Sequence, residues 1–170
     1  MNIYTFIIIM FYVVIQRVSE MFISGRNEKL LRKNGAVEYG KSHYKYMVIL
    51  HTLFLISVAA EYLINYSIRN VAEFNTFLLF LFLVLQVFRF YTIYSLGMYW
   101  NTKILRIPGA PLVKKGIYKY AKHPNYFIVV IEIALIPLIF NCYYTAVVFS
   151  ILNLLILSVR IKAENEALKL

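Results

Sequence analysis

The chain has 170 residues, 61% of them hydrophobic and 15% charged, with a formal net charge of +10. Its apolar residues fall in runs too long for the core of a soluble domain of this size, which excludes a soluble globular protein and leaves an integral membrane protein. The single cysteine, Cys142, excludes an intramolecular disulfide and a cysteine-cluster metal site, and reads as a small apolar residue in a turn.

Crossing roughly 30 Å of hydrocarbon takes about 20 mostly apolar residues in a helix, because every backbone N–H and C=O has to be paired within the segment. Taken in chain order, the runs at 3–23, 44–65, 74–97, 125–140 and 143–159 meet or approach that length. The first has no Lys or Arg before it, carries Arg17 and Glu20 at its end and lacks a small-residue cleavage site, so it reads as a retained helix. The last two are separated only by Asn141-Cys142, which forces a tight antiparallel hairpin. The expectation is all-α: a polytopic membrane helical bundle of about five transmembrane helices, forming a single integral-membrane domain over 1–170. Frequent Ile, Lys, Asn, Tyr and Phe suit a low-GC bacterial genome, and so a bacterial cytoplasmic membrane.

The positive charge alternates between connections. Residues 24–45 hold Arg26, Lys29, Arg32, Lys33, Lys41 and Lys45, and residues 101–122 hold Lys103, Arg106, Lys114, Lys115, Lys119 and Lys122. The tail adds Arg160, Lys162 and Lys169, whereas the link at 66–73 sets Arg69 against Glu73. That pattern argues for membrane orientation and against a nucleic-acid partner: both basic connections and the C-terminus lie in the cytoplasm, and the N-terminus outside. The hairpin then makes His123 a neighbour of the tail at 160–166.

The stretch "GIYKYAKHPNYFIVV", residues 116–130, places Pro124 as the first residue of a helix, with His123 before it. A helix start offers unpaired N–H groups and the positive end of its dipole, which favour a carboxylate or phosphate. The rings of Tyr118, Tyr120 and Tyr126 attract a cation such as a sulfonium. The pair of features suits a zwitterionic ligand, although tyrosines and lysines at a span's end also form the ordinary interfacial belt. Arg160 and Glu164 share one helix face, with Glu166 after them. Within the spans, Arg17, Glu20, Arg89 and Glu132 either pair structurally or line a polar cavity, and Glu61 reaches the interface. His43 and His51 share one face of the second span without a convergent carboxylate, which favours packing over metal binding. No P-loop, nucleotide-binding glycine pattern, HExxH or nucleophile elbow is present, and the lone Gly97 and Gly109 do not make one.

"GIYKYAKHPNY", followed after a two-span hairpin by "RIKAENEAL" at Arg160 through Leu168, resembles the signature of the isoprenylcysteine carboxyl methyltransferase family, G-x-Y-x-x-x-R-H-P-x-Y and R-x-x-x-E-E-x-x-L. The resemblance covers about residues 95–170. The earlier "QRVSEMFISGRNEKLLRKNGAVEYGKSHY" looks like the bacterial branch with alkylpyrone O-methyltransferases. The resemblance implies methyl transfer from S-adenosylmethionine, reached from the cytosol, to an oxygen of a lipophilic acceptor entering from the bilayer, either an alkylpyrone-like hydroxyl or an isoprenylcysteine-like carboxylate. It implies cofactor contacts at Ala110, Pro111, Leu112, Val113, Tyr118, His123, Pro124, Asn125, Tyr126 and Glu164, a substrate-side role for Arg160, and catalysis resting on Arg160 and Glu164. Lys122, Asn165 and Ile128 depart from the pattern: Lys122 for the arginine before His-Pro, Asn165 for the second acidic residue, Ile128 for a small residue. A non-catalytic scaffold or small transporter built on the intramembrane charges is the alternative.

Overall fold

A computed structural model describes residues 3–69 and 75–169 of the chain. It is an all-α polytopic membrane bundle of five helices: α1 (Ile3–Lys33), α2 (Lys41–Arg69), α3 (Thr76–Leu96), α4 (Pro124–Ile139) and α5 (Tyr143–Ala167). Glu73 and the Arg69 side chain, the two charges read in the α2–α3 link, lie outside the described residues. The stretches Ile3–Lys33, Lys41–Ile68, Thr76–Tyr99 and Tyr143–Ala167 are long and apolar enough to cross a membrane; α4 is shorter.

The burial of α4 explains why it is apolar all round. It packs between α3 and α5, and Ile128, Ile133, Ile136 and Ile139 are fully enclosed. The other helices keep large apolar residues outward, among them Phe11, Phe22, Leu53, Val87 and Leu155, as lipid contact requires. Pro137 cannot donate in the last turn of α4. Its carbonyl accepts from Cys142 N at 2.9 Å, and Asn141 takes a positive φ of 57°, closing the predicted hairpin. Asn75 ties the start of α3 to the end of α4 through a bond from its N–H to Ile139 O at 3.0 Å. At this end Phe6 stacks on Tyr62 with centroids 3.7 Å apart, and Phe140 meets Phe6 edge-on.

Three features differ from the sequence expectation. The connection at 24–45 is largely helical, because α1 runs on to Lys33 and Asn27 anchors it by donating to Gly97 O at 3.0 Å and Trp100 O at 2.8 Å. The two basic connections join in a short antiparallel ribbon, β1 (Val37–Tyr39) with β2 (Ile104–Arg106). Glu61 does not simply reach outward: its carboxylate accepts from Tyr144 N at 3.1 Å and Thr145 N at 2.7 Å, capping the otherwise open first turn of α5.

Candidate active site

The hairpin brings the first turn of α4 against the last turns of α5. Tyr126 OH donates to Glu164 Oε2, and Arg160 Nε donates to Tyr126 OH at 2.8 Å. The His123 ring stacks on Tyr126, with centroids 5.4 Å apart and planes 16° from parallel. Its Nε2 meets Asn165 Oδ1 at 3.0 Å, and since an amide oxygen only accepts, Nε2 carries the hydrogen. Its Nδ1 lies 3.6 Å from Glu164 Oε1, an ionic contact too long for a hydrogen bond. That carboxylate raises the His123 pKa above the ordinary imidazole value, against the opposing pull of burial. Burial and then Glu164 raise the Tyr118 phenol, which stays neutral. The departure at Asn165 therefore keeps a hydrogen bond to His123, and Ile128 is simply packed in the core.

These groups line a cavity of about 420 Å³. Tyr118, His123, Asn125, Tyr126, Arg160 and Glu164 all face it, as does Lys122. Pro124 is buried at the helix start and does not line it; neither do Ala110, Pro111, Leu112 and Val113, although Arg106 Nη2 donates to the Ala110 carbonyl. Tyr120 points away and is 84% exposed, and Glu166 is exposed as well. His123 Nδ1 and Asn125 Oδ1 are buried without a hydrogen-bond partner among the described residues, and the first turn of α4 has no side-chain cap. A helix start with spare donors beside unpaired side-chain atoms is a place where a ligand's polar ends can be satisfied.

Sequence reasoning missed the opposite wall. It comes from the segment after α3, where Thr102 O accepts from Arg160 Nη2, and from α2, where Met47 Sδ accepts from Arg160 Nη1 at 3.3 Å. All three guanidinium nitrogens of Arg160 thus hold partners, and the residue braces three elements at once. Ser24 fixes the segment by accepting from Thr102 N at 3.0 Å and giving its backbone carbonyl to Asn101 Nδ2 at 2.9 Å. The lone tryptophan, Trp100, buried at the turn, was the one available signal.

Farther into the bundle, the four intramembrane charges pair with one another, and three of them also line the cavity. Arg89 donates to Glu20 and Glu132, and Arg17 Nη2 donates to Glu132 Oε2 at 2.8 Å. Gln86 Nε2 donates to Glu132 Oε1 at 2.9 Å, while Arg17, Glu20 and Arg89 also face the cavity. The two histidines part: His51 faces the cavity and His43 does not. Among the described residues no group of three or more His, Cys, Asp or Glu is placed to hold a metal ion.

Residues 77–170 match the family described as "Isoprenylcysteine carboxyl methyltransferase (ICMT) family". The chain is similar to "Uncharacterized protein YpbQ" of Bacillus subtilis, with 46% identity over 156 residues, 92% of each chain. It is also similar to an "Uncharacterized protein" of Haemophilus influenzae, with 34% identity over 154 residues, 89% of this chain and 88% of that one. No solved structure matches it.

Proposed function

The chain belongs to the isoprenylcysteine carboxyl methyltransferase family, whose members are membrane methyltransferases, and on that premise we propose that it moves the methyl group of S-adenosylmethionine to an oxygen of a lipophilic acceptor. The observation that carries this reading is the cavity itself. One end is polar and built on the start of α4; along its side it is lined by Met21 of α1 and by Val48 and Ile56 of α2, all of which are also exposed on the apolar outer surface. A water-soluble donor and a membrane-dissolved acceptor can therefore meet without either crossing the other's phase.

The residues at the polar end fit such a donor. The uncapped first turn of α4 suits its carboxylate, Asn125 Oδ1 suits an ammonium N–H, and Glu164 suits polar hydrogens. The rings of Tyr118 and Tyr126 flank the site and favour a sulfonium by about 0.5 to 2 kcal/mol. We assign Ala110–Val113 and Pro124 to the rim of that site. The sulfonium supplies an activated methyl group, so the protein's work is alignment of acceptor oxygen, methyl carbon and sulfur, and exclusion of water. Arg160, held by Tyr126, Thr102 and Met47, keeps the wall between the two ends in place. The basic connections face the cytoplasm in this reading, with the N-terminus outside.

Calorimetric titration of the detergent-purified protein with S-adenosylhomocysteine tests it. Binding is expected for the native chain and a loss of roughly tenfold or more for His123→Ala and Glu164→Ala, each of which removes a charge-assisted contact. Unchanged affinity in both variants, or pH-driven flux through the protein in liposomes without any binding, would overturn the proposal. The acceptor is identified by incubating the protein and labelled donor with native lipid extract and sequencing the labelled product by mass spectrometry.

A further inference from the structure

The cationic side chains that face the cavity are paired or solvated, except at Arg106. Arg17 and Arg89 stand against Glu20 and Glu132, and Arg160 is joined through the Tyr126 hydroxyl to Glu164. Lys103 Nζ donates to Glu28 Oε1 at 2.8 Å, and Lys122 is exposed, with water to solvate it. Arg106 is half-buried, and among the described residues no carboxylate pairs with it. Its Nη2 donates to the Ala110 carbonyl, while its Nε is buried and donates to nothing among the described residues. A buried charged donor left unpaired is costly, so its presence calls for an acceptor that the chain itself does not supply.

The fold holds Arg106 in the wall opposite the start of α4. It closes β2 two residues after Ile104, and side chains two apart share a strand face: Ile104 is buried, and both line the cavity. Pairing with Val37 across the β1–β2 ribbon fixes the backbone of Arg106, and the bond to Ala110 O fixes its side chain. Arg160 draws the two walls together. Its Nη2 donates to Thr102 O, four residues before Arg106, and its Nε donates at 2.8 Å to the hydroxyl of Tyr126, the residue after Asn125. On that side of the cavity Asn125 Oδ1 is buried and receives no donor among the described residues.

We infer that Arg106 is the residue that selects the methyl donor by its carboxylate: the guanidinium takes the carboxylate of the donor's amino-acid end, while Asn125 Oδ1 accepts from the ammonium beside it. The inference rests on the proposed methyl transfer and names the side chain that reads this end of the donor. The two orphaned atoms are opposite in kind, one a charged N–H and the other an acceptor, and an α-amino acid carries the complementary pair on a single carbon. A phosphate or a lone carboxylate satisfies Arg106 and leaves Asn125 without a donor. The carboxylate then lies between the open N–H groups of α4 and the guanidinium, and a donor stripped of it forfeits both contacts. Ala110 takes part through its backbone alone, as the carbonyl that sets the guanidinium.

Calorimetric titration of the full-length protein in nanodiscs with three ligands separates the contacts: S-adenosylhomocysteine, its decarboxylated analogue, which keeps the ammonium, and 5′-methylthioadenosine, which lacks the amino-acid end. Native protein is expected to prefer S-adenosylhomocysteine to the decarboxylated analogue by roughly tenfold or more. Arg106→Gln is expected to weaken S-adenosylhomocysteine by roughly tenfold and to leave the other two ligands unchanged, which also shows that the variant folds. Arg106→Lys keeps the charge without the planar fork and is expected to fall between. Asn125→Ala is expected to weaken both ligands that carry the ammonium and to spare 5′-methylthioadenosine. Equal weakening of all three ligands by Arg106→Gln, as a merely structural role gives, native preference for the carboxylate kept by both Arg106 variants, or no such preference in native protein would each overturn the inference. Absence of S-adenosylhomocysteine binding by the native protein would instead overturn the methyl-transfer reading beneath it.

Discussion

In the first turn of α4, Asn125 keeps a buried oxygen without a partner; two turns along the same helix, both oxygens of Glu132 are taken, one by Gln86 and the other by Arg17 and Arg89. Both clusters sit in a bundle where unpaired polar groups cost several kcal/mol, yet of these two side chains only the Glu132 carboxylate has both oxygens paired. The Glu132 cluster ties α1, α3 and α4 together across an apolar medium that gives no hydrophobic drive for helix association. The unsaturated one leaves its free atoms facing a cavity, where a ligand can complete them. Paired carboxylates serve the architecture, and unpaired atoms that face the cavity offer a place for a guest.

The contrast breaks most visibly at Arg89. Arg89→Ala leaves Glu20 and Glu132 buried with too few donors and is expected to cost about 3–5 kcal/mol of stability, read as a lowered unfolding midpoint in detergent. Glu164→Ala, by comparison, is expected to cost far less stability while weakening S-adenosylhomocysteine; equal destabilisation by the two changes would erase the distinction. Glu61→Ala, remote from both clusters, removes the cap of α5 and is expected to cost about 1 kcal/mol without touching ligand affinity. The smallest effect is the pH dependence of the His123–Glu164 contact. The folded-state pKa of His123 is raised above 6.5, so its contribution is full below that value and fades as pH rises through the raised one. His123→Gln is expected to flatten that part of the stability–pH curve, measured by thermal unfolding across the range.

How much was legible follows from where information sits in a membrane sequence. The α4–α5 hairpin could be read because two residues between apolar runs leave one geometry, and that alone made His123 a neighbour of Glu164 and Asn165. The four intramembrane charges announced themselves by their cost. What could not be read were contacts between elements whose surfaces look alike: lipid-facing and core-facing residues are both apolar here, so α1 and α2 carry no periodic pattern to reveal which face meets the cavity. The bracing of Arg160 by Thr102 O, the β1–β2 ribbon and the cap by Glu61 depend on tertiary placement of ordinary residues. Ala110–Val113 do not line the cavity; Arg106, which does, bonds the Ala110 carbonyl, and that link supports their assignment to the rim in the proposed reading.

The length of α4 has a consequence for depth. Its 16 residues rise about 24 Å, against roughly 30 Å of hydrocarbon, and the bond from Asn75 to Ile139 keeps its far end flush with the start of α3. With that end fixed, the shortfall of about 6 Å against a full span falls on the His123 side. Irregular backbone before the helix start is tolerated near hydrocarbon where it rims a hollow, as residues 99–106 do here. In the proposed methyl transfer, a short helix start would let a soluble donor and a membrane-dissolved acceptor meet at one depth.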